Sequence, residues 1–295
     1  MLEQFRPKKF RADALAKIKR MVEIVDEYSE QGLRLTARQL YYQFVSRDII
    51  PNTPAEYKRL TSLLADARYA GLVDWSAIED RGRVPTRASE WRSIKEVVNS
   101  AIWAFRLPRW ETQPNYAELW VEKQALAGVL EPLADEFHVT LMVNKGYSSA
   151  SAMYEAARRI RERGGFRTTT ILYLGDHDPS GEDMVRDIEA RLREFRCESL
   201  GSRLVVKKVA LTMDQVEQYN PPPNPAKLTD SRSTAYIAKH GHSSWEVDAL
   251  PPNVLAKLIR EEFSHIVDTE AMEKIMEEEE VAKARLKAAM ATAKL

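Results

Sequence analysis

Apolar positions follow a helical period in the first third of the chain and an alternating strand–helix rhythm after it. Residues 12–30 place Leu15, Ile18, Val22 and Val25 on one side of a helix, which predicts an amphipathic segment. A second helix is expected from about residue 37, because Thr36 and Gln39 form a capping-box pattern, and Pro51 stops it. Thr53, Pro54 and Glu56 then supply an N-cap, a proline at the first helical position and a second capping box. That third helix carries Tyr57, Leu60, Leu64 and Ala67 on one face, with Gly71 as the residue that ends it. Leu72-Val73-Asp74-Trp75 and Asp80-Arg81-Gly82-Arg83 read as a short hairpin. Helix, turn, helix and hairpin together predict a winged helix, whose second helix enters a DNA groove. Lys58 and Arg59 on that helix, and Arg81 and Arg83 in the hairpin, are the candidate DNA contacts. A small helical cap without DNA contact would show the same pattern.

The polar, proline-containing stretch at 106–116 reads as a linker. Beyond it, the strands AELWVE, HVTLMVN, TTTILYLGD and RLVVKKVAL alternate with helices at KQALAGVLEPLADEF, SASAMYEAARRIRERG and SGEDMVRDIEARLREF. Strands alternating with helices of this length imply a parallel sheet covered on both faces. The expected class is therefore mixed α/β, with one domain over 1–110 and a second over 111–295. The second ends in a proline-rich loop at 219–235 and a helical extension.

Composition refines this outline. The chain has 295 residues, enough for two domains, and no apolar run near the roughly 20 residues that span a bilayer. The N-terminus shows no secretory pattern, and the single cysteine, Cys197, excludes an internal disulfide and a CxxC zinc site. A cytoplasmic protein is expected, nucleoid-associated if prokaryotic. Net charge is zero but uneven: residues 1–110 hold 20 basic and 14 acidic side chains, and the remainder 24 and 30. A basic front half suits phosphate contact. Acids in the rear half suit metal ligation or a solvated surface, and the run Glu277–Glu280 reads as the latter.

The chemistry concentrates at strand ends. In an open parallel sheet, ligands bind beyond the carboxyl ends of the strands. Glu122 ends the first strand, Asp176 ends the third, and Asp178 follows two residues later. Carboxylate oxygens suit Mg²⁺, which can stabilise charge on a phosphodiester. Lys123 is placed to touch phosphate, and Pro179 and Gly181 make a tight turn. These acids would also serve simply as helix caps, and Asp178 is well placed for that. In the second helix, Ala37, Leu40, Tyr41 and Phe44 form the apolar stripe, so Tyr41 should be buried. Arg38 and Tyr42 share an adjacent flank where both can be exposed. A guanidinium beside a phenol can hold phosphate and favour attack. Tyr42 can equally be core and Arg38 an ion-pair partner. His240-Gly241-His242 is a weak metal pattern, and His177 is not expected among the ligands. Lys207 and Lys208 fit DNA contact or an exposed strand edge equally.

WVEK followed by LGDHDPSGEDM resembles the Toprim domain of the topoisomerase VI A subunit and the related meiotic double-strand-break protein. Arg38-Gln39-Leu40-Tyr41-Tyr42 is similar to that family's R-x-[LI]-Y-Y signature, Gly146 matches a glycine after the second strand, and Trp245–Leu250 resembles a late E-x-x-A-L segment. The resemblance covers roughly residues 30–250. It implies Glu122 as acid/base, Mg²⁺ (with Mn²⁺ as substitute) on Glu122, Asp176 and Asp178, and Tyr42 as the nucleophile assisted by Arg38. In that family the tyrosine of one protomer works with the metal site of another, so a homodimer is implied. Lacking a G-x-x-x-x-G-K-[ST] motif, the chain would need a separate ATPase subunit for strand passage. The expected function is Mg²⁺-dependent cleavage of duplex DNA by tyrosine transesterification. The alternatives are a hydrolytic Toprim endonuclease of the defence or recombination type, and a DNA-binding subunit with little cleavage of its own.

Overall fold

A computed structural model describes residues 2–79, 88–144, 146–198, 202–226 and 229–292. The chain opens with α1 (Ala12–Ser29), a two-residue β1 (Leu35–Thr36), α2 (Ala37–Ser46) and α3 (Pro54–Tyr69). The local signals hold at these boundaries. Thr36 and Gln39 make the reciprocal capping box of α2. Thr53 caps α3 through the Glu56 N–H, but Glu56 sends its carboxylate to Arg59 rather than back to the cap. Gly71 follows α3 at φ +73°, a conformation that suits glycine. On α1 the buried side is rotated from the expected one: Met21 and Ile24 are core, whereas Leu15 is 47% exposed.

The expected hairpin is not formed by Leu72–Trp75. A short 3-10 turn at Trp75–Ala77 leads into β2 (Ile78–Glu79), which pairs in parallel with β1. Asp80–Arg83, with the candidate contacts Arg81 and Arg83, lies outside the described residues. α4 (Ile94–Ala104) follows.

The rest of the chain is built on four parallel strands: β3 (Asn115–Val121), β4 (Thr140–Val143), β5 (Thr168–Leu174) and β6 (Leu204–Ala210). The crossover helices are α5 (Ala127–Phe137), α6 (Ala150–Gly164) and α7 (Pro179–Glu194). Then come α8 (Met213–Tyr219), β7 (Asn224–Pro225), α9 (Ser233–His240), β8 (Ser243–Ser244), α10 (Pro252–Ser264) and α11 (Thr269–Thr292). The protein is thus mixed α/β with a parallel sheet. Strand order is β4-β3-β5-β6. The chain leaves β3 toward β4 on one side and leaves β5 toward β6 on the other. The gap between the carboxyl ends of β3 and β5 is therefore the switch point at which open α/β sheets bind ligands. Among the described residues no helix is long and apolar enough to cross a membrane.

Among the described residues, two apolar clusters form the core. One joins α1, α2 and α3 through Met21, Ile24, Leu40, Phe44, Leu60 and Leu64, and draws in Ala249 from far along the chain. The other surrounds the sheet, with Leu119, Trp120, Leu172, Met153, Ile188 and Phe263.

Residues 106–116 are packed rather than free. Trp110 is buried and donates from Nε1 to the Phe137 carbonyl, and Arg109 pairs with Glu279 at 3.0 Å. That pairing corrects the expectation for Glu277–Glu280: Glu279 is 1% exposed and accepts from Arg109, Lys283 and the Leu107 N–H. Only tertiary contact distinguishes it from its neighbours in the run.

A second buried acid lies inside β3. Glu118 is fully buried and accepts from Tyr116, Trp120 and both arms of Arg159, each at 2.8 Å. Removing the cation would leave a carboxylate without compensation in the core. Because Arg159 is 27% exposed, Arg159→Met should lower stability by about 3 kcal/mol, the low end of the range for breaking a buried pair. Urea unfolding measures this, and a loss under about 1 kcal/mol would mean that Tyr116 and Trp120 hold Glu118 without it.

Candidate functional site

The switch point collects acids from separate segments. Glu122, just past β3, is anchored by its N–H to the Leu174 carbonyl at 2.9 Å, and its Oε2 accepts the Asp176 N–H at 3.2 Å. Asp176 follows β5 and is 6% exposed. Asp178 is the N-cap of α7: its Oδ1 accepts from the Gly181 N–H at 2.7 Å and from Ser180 at 2.8 Å. Pro179 begins that helix. Gly181 is required by space, since a Cβ there would lie 2.1 Å from the Asp176 carbonyl oxygen.

A third segment closes over this turn. His177 and Trp245 exchange backbone hydrogen bonds at 2.8 and 2.9 Å, and the Val247 N–H donates to Asp176 Oδ1 at 2.9 Å. This bridge delivers Glu246 and Asp248, the latter 1% exposed. Lys123 lies at the centre. Its ammonium meets Asp176 at 2.9 Å, Glu246 at 2.8 Å and Asp248 at 2.9 Å. Within the chain, its partners are these three acids. Arg38 reaches in from α2, pairing with Glu246 and with Asp248 Oδ2 at 3.1 Å, and lies 3.5 Å from the Tyr42 hydroxyl.

Of the two placements left open for Tyr42, the structure takes the core one. Tyr42 is 3% exposed, as buried as Tyr41 at 4%. The helical face of α2 that should have met solvent packs against the Val247–Ala249 turn. Burial, then the charges of Asp248 and Glu246, push its phenol above the ordinary range, against the pull of Arg38. A cleft of about 470 Å³ opens beside it, lined by Arg38, Tyr42, Asn52, Tyr57, Pro223 and Glu246 among others. Tyr42 lies near Glu246 and Asp248 of its own chain. Lys58 and Arg59 are exposed on α3, Arg59 paired with Glu56. On β6, Lys207 pairs with Glu262, and Lys208 with Glu182 and the Asp176 carbonyl. A larger cavity of about 680 Å³ is lined by residues at the amino ends of the strands, including Tyr116, Thr140 and Arg167, and contains none of these acids.

Asp176, Glu246 and Asp248 meet two cations, Lys123 and Arg38, and Glu122 sits beside them on the Asp176 N–H. Fully ionised, those three acids would carry one negative charge beyond the two cations. Burial pushes the Asp176 carboxyl up to about 7, and Glu122 and Asp248 add to the rise that Lys123 resists. Glu246 is also partly buried, but Lys123 and Arg38 hold it down to about 2. An all-oxygen donor set short of positive charge suits a hard divalent cation such as Mg²⁺. Glu246 and Asp248 were visible in the sequence only as the acids of WEVDAL. Lys123 gave no sign of being their common partner.

Asp176 sets a pH dependence. Its folded-state carboxyl holds its proton more tightly than the unfolded one, whose value is near 3.8. The contribution is full below pH about 4 and is lost as pH rises through about 7. In EDTA, urea unfolding should therefore show wild type losing stability relative to Asp176→Asn between those limits. A difference independent of pH would mean that Asp176 is ionised throughout. In comparisons with known proteins, no family model matches the chain and no curated protein matches it.

Proposed function

We propose that the protein is a divalent-metal-dependent endonuclease of the Toprim type that cleaves duplex DNA by hydrolysis. The observation that carries this is the convergence of Glu122, Asp176, Asp178, Glu246 and Asp248 at the switch point of a parallel sheet. Support also comes from the resemblance of WVEK and LGDHDPSGEDM to Toprim motifs. Glu122, Asp176 and Asp178 would hold Mg²⁺ or Mn²⁺, with Glu246 and Asp248 as neighbouring donors. The ion would supply charge stabilisation at a phosphodiester oxygen. Glu122, half-buried at the strand end, would take the proton from the attacking water. Lys123 and Arg38 balance the acids until a cation arrives, and then become available to phosphate. The α1–α3 unit would act as a winged-helix DNA module, with Lys58 and Arg59 against the backbone.

Transesterification by Tyr42 is the second reading, favoured by the 3.5 Å approach of Arg38 to its hydroxyl. Hydrolysis is preferred because Tyr42 is 3% exposed and its phenol resists ionisation. Attack would need the 246–249 segment to move away from α2. A homodimer and a separate ATPase subunit belong with that second reading.

The test is supercoiled plasmid with Mg²⁺ or Mn²⁺, followed by denaturation and a search for protein on 5′ ends. Glu122→Gln and Asp176→Asn should each lower cleavage by about 100-fold or more, the usual scale for losing an acid/base group. Tyr42→Phe should cleave within a few-fold of wild type, with no covalent adduct. An adduct lost in Tyr42→Phe would establish transesterification instead. DNA binding without breaks in either metal would leave a binding subunit.

A further inference from the structure

The histidine between the two aspartates belongs to a different cluster. The His177 ring packs against Tyr236, His240 and Trp245, with its centroid 4.7 Å from that of His240. Its tautomer follows from its neighbours. The Tyr236 hydroxyl has one proton and two carbonyls to receive it, His177 O at 2.9 Å and Ser243 O at 3.1 Å. Having donated there, it accepts from His177 Nδ1 at 2.8 Å. The ring proton is thus on Nδ1, and the Nε2 lone pair faces outward from the Tyr236 contact. Nε2 lies 3.8 Å from Glu182 Oε1, and one ligand atom each from His177, Glu182 and His240 lie within 4.8 Å of one another.

We infer that His177, Glu182 and His240 form a second metal site, for a divalent ion of the zinc class. Bonds of about 2.0–2.2 Å to a shared tetrahedral ion put ligand atoms about 3.3–3.6 Å apart. His177 Nε2 and Glu182 Oε1, at 3.8 Å, are near that already, and the widest pair, within 4.8 Å, closes by roughly 1 Å through the less buried Glu182 and His240. Two imidazoles and one carboxylate suit Zn²⁺, while Mg²⁺ prefers the all-oxygen set next door. The hydrogen bond from His177 Nδ1–H to Tyr236 is the outer-shell contact that fixes a ligating histidine. His177 is 1% exposed, but Glu182 is 34% exposed, so an ion can enter from solvent. One cation already competes: Lys208 Nζ contacts Glu182 Oε1 at 2.6 Å. The sequence pairing of His240 with His242 is replaced, since His242 is exposed and outside the cluster.

An ion here would clamp the first turn of α7, the strand-end turn and the end of α9. Those parts hold the His177–Trp245 bridge that positions Glu246 and Asp248. The site would therefore stiffen the carboxylate cluster without joining it, and its existence does not depend on DNA cleavage.

The test is Co²⁺ titration of the metal-stripped full chain in excess Mg²⁺, followed by visible absorption and then displacement by Zn²⁺. One Co²⁺ per chain with a tetrahedral-type spectrum is expected. His240→Ala and Glu182→Gln should each weaken binding at least about tenfold, and Tyr236→Phe about 10–100-fold, the scale for an outer-shell partner. His242→Ala should bind as wild type, and Lys208→Met should bind more tightly. Absence of the spectrum would overturn the site. So would a spectrum kept in His240→Ala and lost in Asp176→Asn, which would assign the ion to the carboxylates.

Discussion

The ammonium of Lys123, held at 2.8–2.9 Å by Asp176, Glu246 and Asp248, is the contact on which the arrangement of the molecule turns. Those carboxylates come from two distant stretches of chain, and Arg38 brings a third by pairing with two of them. Ion pairs taken out of water return little unless their remaining lone pairs are satisfied. Here the Val247 N–H serves Asp176, and the sheet supplies the backbone that fixes Glu122. The cluster is still short of positive charge, so burial is expressed as the raised proton affinity of Asp176. A group held in that condition is suited to exchanging a proton for a metal ion.

The same contact decides the fate of the tyrosine pair. α2 would be an ordinary amphipathic helix if only α1 and α3 packed on it. The 246–249 segment, drawn in by Lys123 and Arg38, covers its remaining flank, so Gln39 and every residue from Leu40 to Val45 are buried. Tyr42 is enclosed by the groups that would be asked to activate it. Exposure of Tyr42 therefore depends on releasing this segment.

Much of the fold was legible because it is written in local signals. The strand–helix alternation after residue 115, the Thr36 and Thr53 caps and the glycine at 71 are short-range effects, and each recurs in the structure. Gly181 was readable as a tight turn, and its close approach to the Asp176 carbonyl supplies the reason. One departure is local, the Glu56 carboxylate that turns to Arg59, and the larger ones are long-range. Leu72–Trp75 had a hairpin pattern, but β2 pairs with β1, more than 40 residues earlier. Glu279 looked like one of four solvated acids until Arg109, 170 residues away, selected it.

The sequence alone determined that three carboxylates, Glu122, Asp176 and Asp178, would lie at strand ends of a parallel sheet, because strand and helix periods and strand-end residues are local properties. Only the tertiary structure decided which charges those acids meet. Lys123 turns inward to them, and Glu246 and Asp248 join through the His177–Trp245 bridge. Burial of Tyr42 and the grouping of His177 with Glu182 and His240 were settled at the same level. Burial and electrostatic pairing depend on which segments share a volume, and residues more than 100 positions apart leave no periodic trace of meeting.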